Sequence, residues 1–156
     1  MLDRFDLQLL NLLQRDDAGT ADQLARQVPL SPSAIARRLR RLRATGIIAR
    51  TIALLSPELT SRRLRAIVHV QLSEHADQRG KQALLRRIGD VPQIQFCYEL
   101  AGVYDLLLLF DCSHMDEFTD IAEAVLVADS TVRRYETSFV KREVKFAPFV
   151  KLDERA

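Results

Sequence analysis

The chain has no tryptophan, three histidines and two cysteines in 156 residues. His69, His75 and His114 are scattered, with no i, i+4 pair and no neighbouring cysteine, so the usual ligand spacing of a metal site is missing. Cys97 and Cys112 fall on neighbouring strands of an expected hairpin. A turn that pairs Ala101 with Tyr104 sets Cys97 opposite Leu108 and leaves Cys112 about 13 Å further along, beyond disulfide reach. Both read as reduced thiols. There is no Gly-rich phosphate loop, no G-x-S-x-G and no clustered carboxylate pair. These absences point to a binding protein with no cofactor rather than an enzyme. The longest apolar run, Leu106 to Phe110, falls far short of the roughly 20 residues of a membrane span. "MLDRFD" lacks the basic-then-apolar layout of a secretory signal. The expected location is cytoplasmic.

What is present is the composition of a folded protein: 47% hydrophobic and 28% charged residues. The length suits one ordinary domain or two small ones. Net charge is only +2, yet residues 1–63 carry +5 and the remainder −3. A basic first part suits a polyanion, and the mildly acidic second part would serve another purpose.

The basic excess is concentrated in "SPSAIARRLRRLRAT", Ser31 to Thr45. Ser31 is suited to cap a helix and Pro32 to occupy its first position. Ile35, Leu39 and Leu42 recur at i, i+4, i+7 and form one apolar stripe. The opposite side carries Ser33, Ala34, Arg37, Arg40, Arg41 and Ala44, with Arg38 and Arg43 on the flanks. The stretch holds five arginines and no acid. Alone, it could be either a DNA recognition helix or a solvated basic face. Its surroundings favour the first. Leu2, Phe5, Leu9, Leu12 and Leu13 define an opening helix with Asp3 as N-cap and Asp6 in its first turn. Thr20 and Gln23 have capping-box spacing for a short second helix, which buries Ala21, Leu24, Ala25 and Val28. A tight connection through Pro29 and Leu30 follows, giving helix-turn-helix order. Gly46 is placed to end the third helix. "IIARTIALLS" is expected to add one or two short β segments, a wing carrying Arg50. Ser31, Ser33, Ala34, Arg37, Arg38, Arg40, Arg41 and Arg50 are thus the expected DNA contacts. Ser33, Ala34, Arg37 and Arg41 would face the groove, and Arg38 and Arg43 the phosphates.

"SPELTSRRL" marks a joint. Beyond it Val68, Val70 and Leu72 alternate with polar residues as a strand, and Ala76 to Ile88 is helical. Ile94, Phe96, Tyr98 and Leu100 alternate again. Tyr104 to Phe110 is apolar almost throughout, as befits a central strand covered on both faces. Phe118, Ile121, Ala122 and Val125 give a second helix, and Val132 to Phe146 a last strand with Tyr135, Thr137 and Phe139 on one side. The predicted class is α+β: a winged helix-turn-helix domain (1–55), a linker (56–64) and a ferredoxin-like βαββαβ domain (65–156). One open sheet face predicts at least a homodimer.

From Leu2 to about Leu152 the chain resembles the leucine-responsive/asparagine-responsive (Lrp/AsnC) regulators. "LDRFDLQLLNLLQRD", "LARQVPLSPSAIARRLRRLRATGII", "LAGVYDLLLLF" and "RRYETSFVKREVK" carry the likeness. The resemblance implies dimers joined through the α/β domain, often assembled into tetramers or octamers, with a small effector, usually an amino acid, between dimers. It puts Gly102, Val103, Tyr104 and Asp105 in the effector loop and Thr137 on the facing strand. Gly102 would allow close backbone approach to a carboxylate, and Asp105 could accept from an α-ammonium group. Many members have an acid at the position of Val103 and a threonine at that of Tyr135; the bulkier, less polar pocket would favour an apolar or aromatic amino acid, or abolish binding. The expected function is sequence-specific transcriptional regulation at a palindromic operator. The alternatives are a sirohaem decarboxylase on the same frame, or an amino-acid sensor without DNA binding. The scattered histidines and missing tryptophan weigh against the first, the arginine face against the second.

Overall fold

The computed structural model describes residues 1–73 and 77–153. The chain divides into two compact units: Met1–Leu54 together with the tail from Lys145, and Leu55–Val144. The division expected from sequence ended the first domain at residue 55 and assigned everything after 64 to the second.

In the first unit, α1 (Arg4–Leu13) starts at a reciprocal capping box between Asp3 and Asp6. The helix α2 (Ala21–Leu24) starts at the Thr20–Gln23 box, and α3 (Pro32–Ala44) at Ser31. Gly46, at φ 72°, follows α3 in the left-handed conformation. Leu9, Leu10, Leu24, Val28, Ile35, Leu39 and Leu42 close the core, with Ile48 and Leu152 packed against it. Leu152 arrives from the far end of the sequence. The Asn11 amide donates to the Leu152 carbonyl at 2.8 Å and accepts from its amide at 2.9 Å. Gln14 brackets Val150 in the same way, at 3.0 and 2.9 Å. Two amides one helical turn apart thus read alternate residues of an extended tail.

The β segments expected over residues 47–56 do not form within the chain. A strand needs a hydrogen-bonding neighbour, and no described segment pairs with this one; Ile52, Leu54 and Leu55 remain exposed.

The second unit opens with the short α4 (Pro57–Thr60), inside the expected linker. It continues β1 (Leu64–Leu72), α5 (Gln78–Asp90), β2 (Ile94–Glu99), β3 (Leu106–Cys112), α6 (Met115–Ala122) with a π-helical turn through Val127, and β4 (Val132–Phe139). Asp77 caps α5; Ala76, the expected first residue of that helix, and His75 lie outside the described residues. The sheet is antiparallel with order β2-β3-β1-β4, so the apolar β3 is central. Ala66, Val68, Val70, Leu106, Leu108 and Phe110 share a face with Leu84, Ile88, Phe118, Ala122 and Leu126 of the helical layer. Cys97 pairs with Leu108 as expected, and both cysteines are free thiols.

Two strands differ from expectation. A bulge between Ile94 and Phe96 sets Ile94 opposite Phe110 and Phe96 opposite Leu109, so these two residues do not share a face. The last strand stops at Phe139 instead of Phe146. Its partner is exhausted there: Phe139 pairs with Ala66 and the Val140 amide reaches the Arg65 carbonyl, at the start of β1.

Candidate nucleic-acid interface and effector loop

The third helix is placed by its apolar stripe. Ile35, Leu39 and Leu42 are buried, which fixes the rotation of α3 and turns Ser33, Arg37 and Arg40 outward. The N-terminal end is ordered by the Ser31 hydroxyl, which accepts from the Ala34 amide at 3.3 Å and lies 3.1 Å from the Ser33 hydroxyl. The small side chains of Ser33 and Ala34 at this end leave room for a groove edge or phosphate.

The arginines are not equivalent. Arg37, Arg40 and Arg50 are exposed and have no carboxylate partner among the described residues. Arg43 pairs with Asp17 at 3.0 Å, and Asp17 also accepts from Thr51. Arg38 donates to Asp3 at 2.6 Å and to Asp6 at 2.8 Å, and Arg41 to the other Asp6 oxygen at 2.5 Å. The Asp6 side chain is fully buried, whereas that of Arg41 remains half exposed. Burial alone would raise the Asp6 pKa. The Asp3 backbone amide, Arg38 and Arg41 outweigh it and hold the carboxyl below its ordinary value. Asp3 is lowered chiefly by the Asp6 amide, and Arg38 is raised by its two acids. Reading the sequence for caps alone misses this network. The signal was available: Asp3 and Asp6, and Arg38 and Arg41, are both spaced i, i+3, so two complementary pairs can lie across a helix contact.

In the second unit, the loop expected to hold an effector joins β2 to β3. The Leu100 amide donates to the Asp105 carbonyl at 2.8 Å, and the Asp105 carboxylate accepts from the Leu72 amide at 2.8 Å. Asp105 therefore anchors its loop to β1. Gly102 has no positive φ, and a Cβ built on it meets nothing within 4 Å, so the turn itself does not require glycine there. Its missing side chain instead leaves the backbone open to approach. Val103 projects into solvent.

Tyr104 lies 5.0 Å from the His69 ring, with the Arg134 guanidinium 5.9 Å from its own ring centre. A hydrogen bond to Glu136 pushes its phenol pKa up. Arg134 also donates to Gln71 at 2.8 Å. Tyr135 and Thr137 are not brought into this group. They pair with Val70 and Val68 and so occupy the helix-covered face, whereas Glu136 and Arg134 pair with His69 and Gln71 on the open one. Arg134, Glu136 and His69 were missed in the sequence because strand pairing, not chain order, sets them beside Tyr104. Among the described residues, no group of three His, Cys, Asp or Glu side chains could hold a metal ion.

A helix-turn-helix unit with a one-sided cationic third helix, joined to a βαββαβ unit, defines a DNA-binding regulator with a separate ligand domain. The Lrp/AsnC ligand binding domain model matches residues 65–148, and a winged helix-turn-helix DNA-binding model matches residues 2–49. Transcriptional regulatory protein DoeX of Halomonas elongata is 32% identical over 92% of this chain and 90% of its own length. The leucine-responsive regulatory protein of Haemophilus influenzae is 32% identical over 97% and 90%. Among solved structures, a Neisseria meningitidis transcriptional regulator in complex with L-Met superposes with a TM-score of 0.85 at 29% identity, covering 99% of this chain and 98% of that one. The chain belongs to the Lrp/AsnC family of transcriptional regulators.

Proposed function

We propose that α3 enters the major groove, with Ser31, Ser33 and Ala34 at the base-edge end, Arg37 and Arg41 over the groove, and Arg40 and Arg50 on the phosphates. The carrying observation is the outward row Ser33, Arg37, Arg40 on a helix whose other side is locked into a core. Two such units in a homodimer would read a palindromic operator with half-sites about one DNA turn, or a multiple of it, apart. The open sheet face supplies a reason for pairing: Ile67, Leu107, Leu109, Phe96 and Tyr98 lie outside the helical layer. Tetramers or octamers would follow from further contacts between dimers. Replacing Arg37 or Arg40 by alanine should weaken DNA binding and lower the salt slope by about 1 each, as fluorescence anisotropy across a salt series would report. An unchanged slope in both variants would remove α3 from the interface.

The effector is an amino acid taken at the loop Gly102, Val103, Tyr104 and Asp105. The L-Met complex of the Neisseria regulator supports the class. Gly102 offers an unobstructed backbone, while Arg134 and Glu136, paired with each other at 3.5 Å beside Tyr104, would exchange that pairing for the two charges of a zwitterion. Tyr135 and Thr137 would act on this site from the far face of β4, by fixing the strand. Calorimetry against the twenty amino acids should give heat for an apolar or aromatic one; twenty flat titrations would refute the effector reading.

A further inference from the structure

Asp6 combines features that ordinary helix capping does not require. Its carboxylate has no solvent contact, is tied to the Asp3 backbone amide at 3.1 Å, and divides its two oxygens between Arg38 and Arg41. Both guanidiniums come from the helix assigned to the groove. Should either turn to a DNA phosphate, Asp6 would keep a buried charge with one partner fewer, and it cannot follow because its own amide bonds fix it to the start of α1. Asp3 adds a second hold on Arg38. The two arginines are therefore charge-compensated before DNA arrives, and Arg37 and Arg40 are left as the uncompensated cations of α3 among the described residues. Arg41 differs from Arg38 in being half exposed. With one nitrogen on Asp6, it still has donors to offer, and the guanidinium plane is set by the bond it already makes.

We propose that Asp6 is a positioning and specificity-determining residue: it withholds Arg38 and Arg41 from indiscriminate phosphate contact and presents Arg41 to base edges in one orientation. The proposal rests on the reading of α3 as the groove helix. It predicts an effect opposite to that of most damage to a DNA-binding unit. In the full chain, Asp6→Asn should bind random duplex more tightly, with a salt slope steeper by about 1 to 2, because Arg41 loses its one acid and Arg38 keeps only the half-exposed Asp3, which a phosphate can displace. The ratio of operator to random affinity should fall about tenfold, the scale of one well-aligned base contact. Arg41→Gln supplies an arm that does not depend on how well the Asp6 variant folds. It should lower operator affinity about tenfold, yet change the random-duplex salt slope by less than half as much as Arg37→Gln or Arg40→Gln.

Anisotropy titrations of a genome-selected operator and a random duplex of equal length, each across a salt series, read all four variants. The proposal is overturned if folded Asp6→Asn keeps the wild-type slope and ratio. It is equally overturned if Arg41→Gln lowers the random slope as much as Arg37→Gln does. In either case an effect of Arg37→Gln and Arg40→Gln on the slope would leave the groove assignment standing. No effect from those two as well would overturn both readings together.

Discussion

Asp6 keeps its charge in a buried position only through the Asp3 backbone amide, Arg38 and Arg41, and those bonds make it a source of acid sensitivity. Its folded-state pKa is held below the ordinary carboxylate value of about 4. The unfolded chain therefore takes up the proton first as pH falls. The stabilisation is complete above that ordinary value and is lost as pH drops through the lower folded one. Glu117, lowered chiefly by the Ser113 backbone amide, has the same sign in the second unit. Thermal midpoints recorded from pH 7 down to pH 3 should fall on the acid side. Asp6→Asn should show a shallower acid limb than wild type, and equal limbs would mean that Asp6 does not contribute to it. At this scale the sequence was only partly legible. Residues that act through neighbours in the chain, such as Asp3, Thr20 and Ser31 as caps, could be read directly. Pairs separated by about 35 positions are harder: the matching i, i+3 spacing of Asp3/Asp6 and Arg38/Arg41 shows that they are complementary, but nothing local in "LDRFD" says which arginines will lie above it.

Among the elements, the helices were the most legible, because capping and a period of 3.6 act over a few residues. Gly46 illustrates this. It has the positive φ expected of a residue just past a helix, and a Cβ there would meet no atom within 4 Å. Any cost of Gly46→Ala thus comes from backbone conformation alone, about 1 kcal/mol. Chemical denaturation should show a loss of that order, and a loss several times larger would indicate a steric role that the open space does not support. Strands were less legible. Alternation marked β1 and an almost unbroken apolar run marked β3, but the bulge at Ile94/Phe96 shifted a face, and β4 ended where β1 offered no further partner. The segment 47–56 has strand-like composition and no strand at all within this chain. Composition gives a propensity to pair, and only the presence of a partner turns it into structure.

For the whole molecule, the exposed apolar sheet face sets the expected assembly state. Leu107 and Leu109 are half-buried in the isolated chain although they lie on a central strand. Burying their face against a second copy would remove a large apolar surface from water. Leu107→Asp should therefore shift the protein toward monomer in sedimentation velocity and weaken binding to a two-half-site operator more than to a single half-site. A wild-type sedimentation profile for that variant would place the interface elsewhere. The βαββαβ order could be read in advance, but the return of residues 145–153 to the first unit could not: Phe146, Phe149, Val150 and Leu152 make that tail largely apolar, yet in an irregular segment they follow no period that would mark where it packs.

That return has a consequence for how the protein is made. The DNA-reading unit is discontinuous: residues 1–54 leave the ribosome before the second unit, but the amides of Asn11 and Gln14 lack their partners, and the core lacks Leu152, until residues 145–153 have followed it. A nascent or prematurely terminated chain would carry the arginine helix on an unfinished frame. Completion of the reader is thereby tied to completion of the sensor, so an unregulated DNA-binding fragment is the product that translation is least able to release in its finished form.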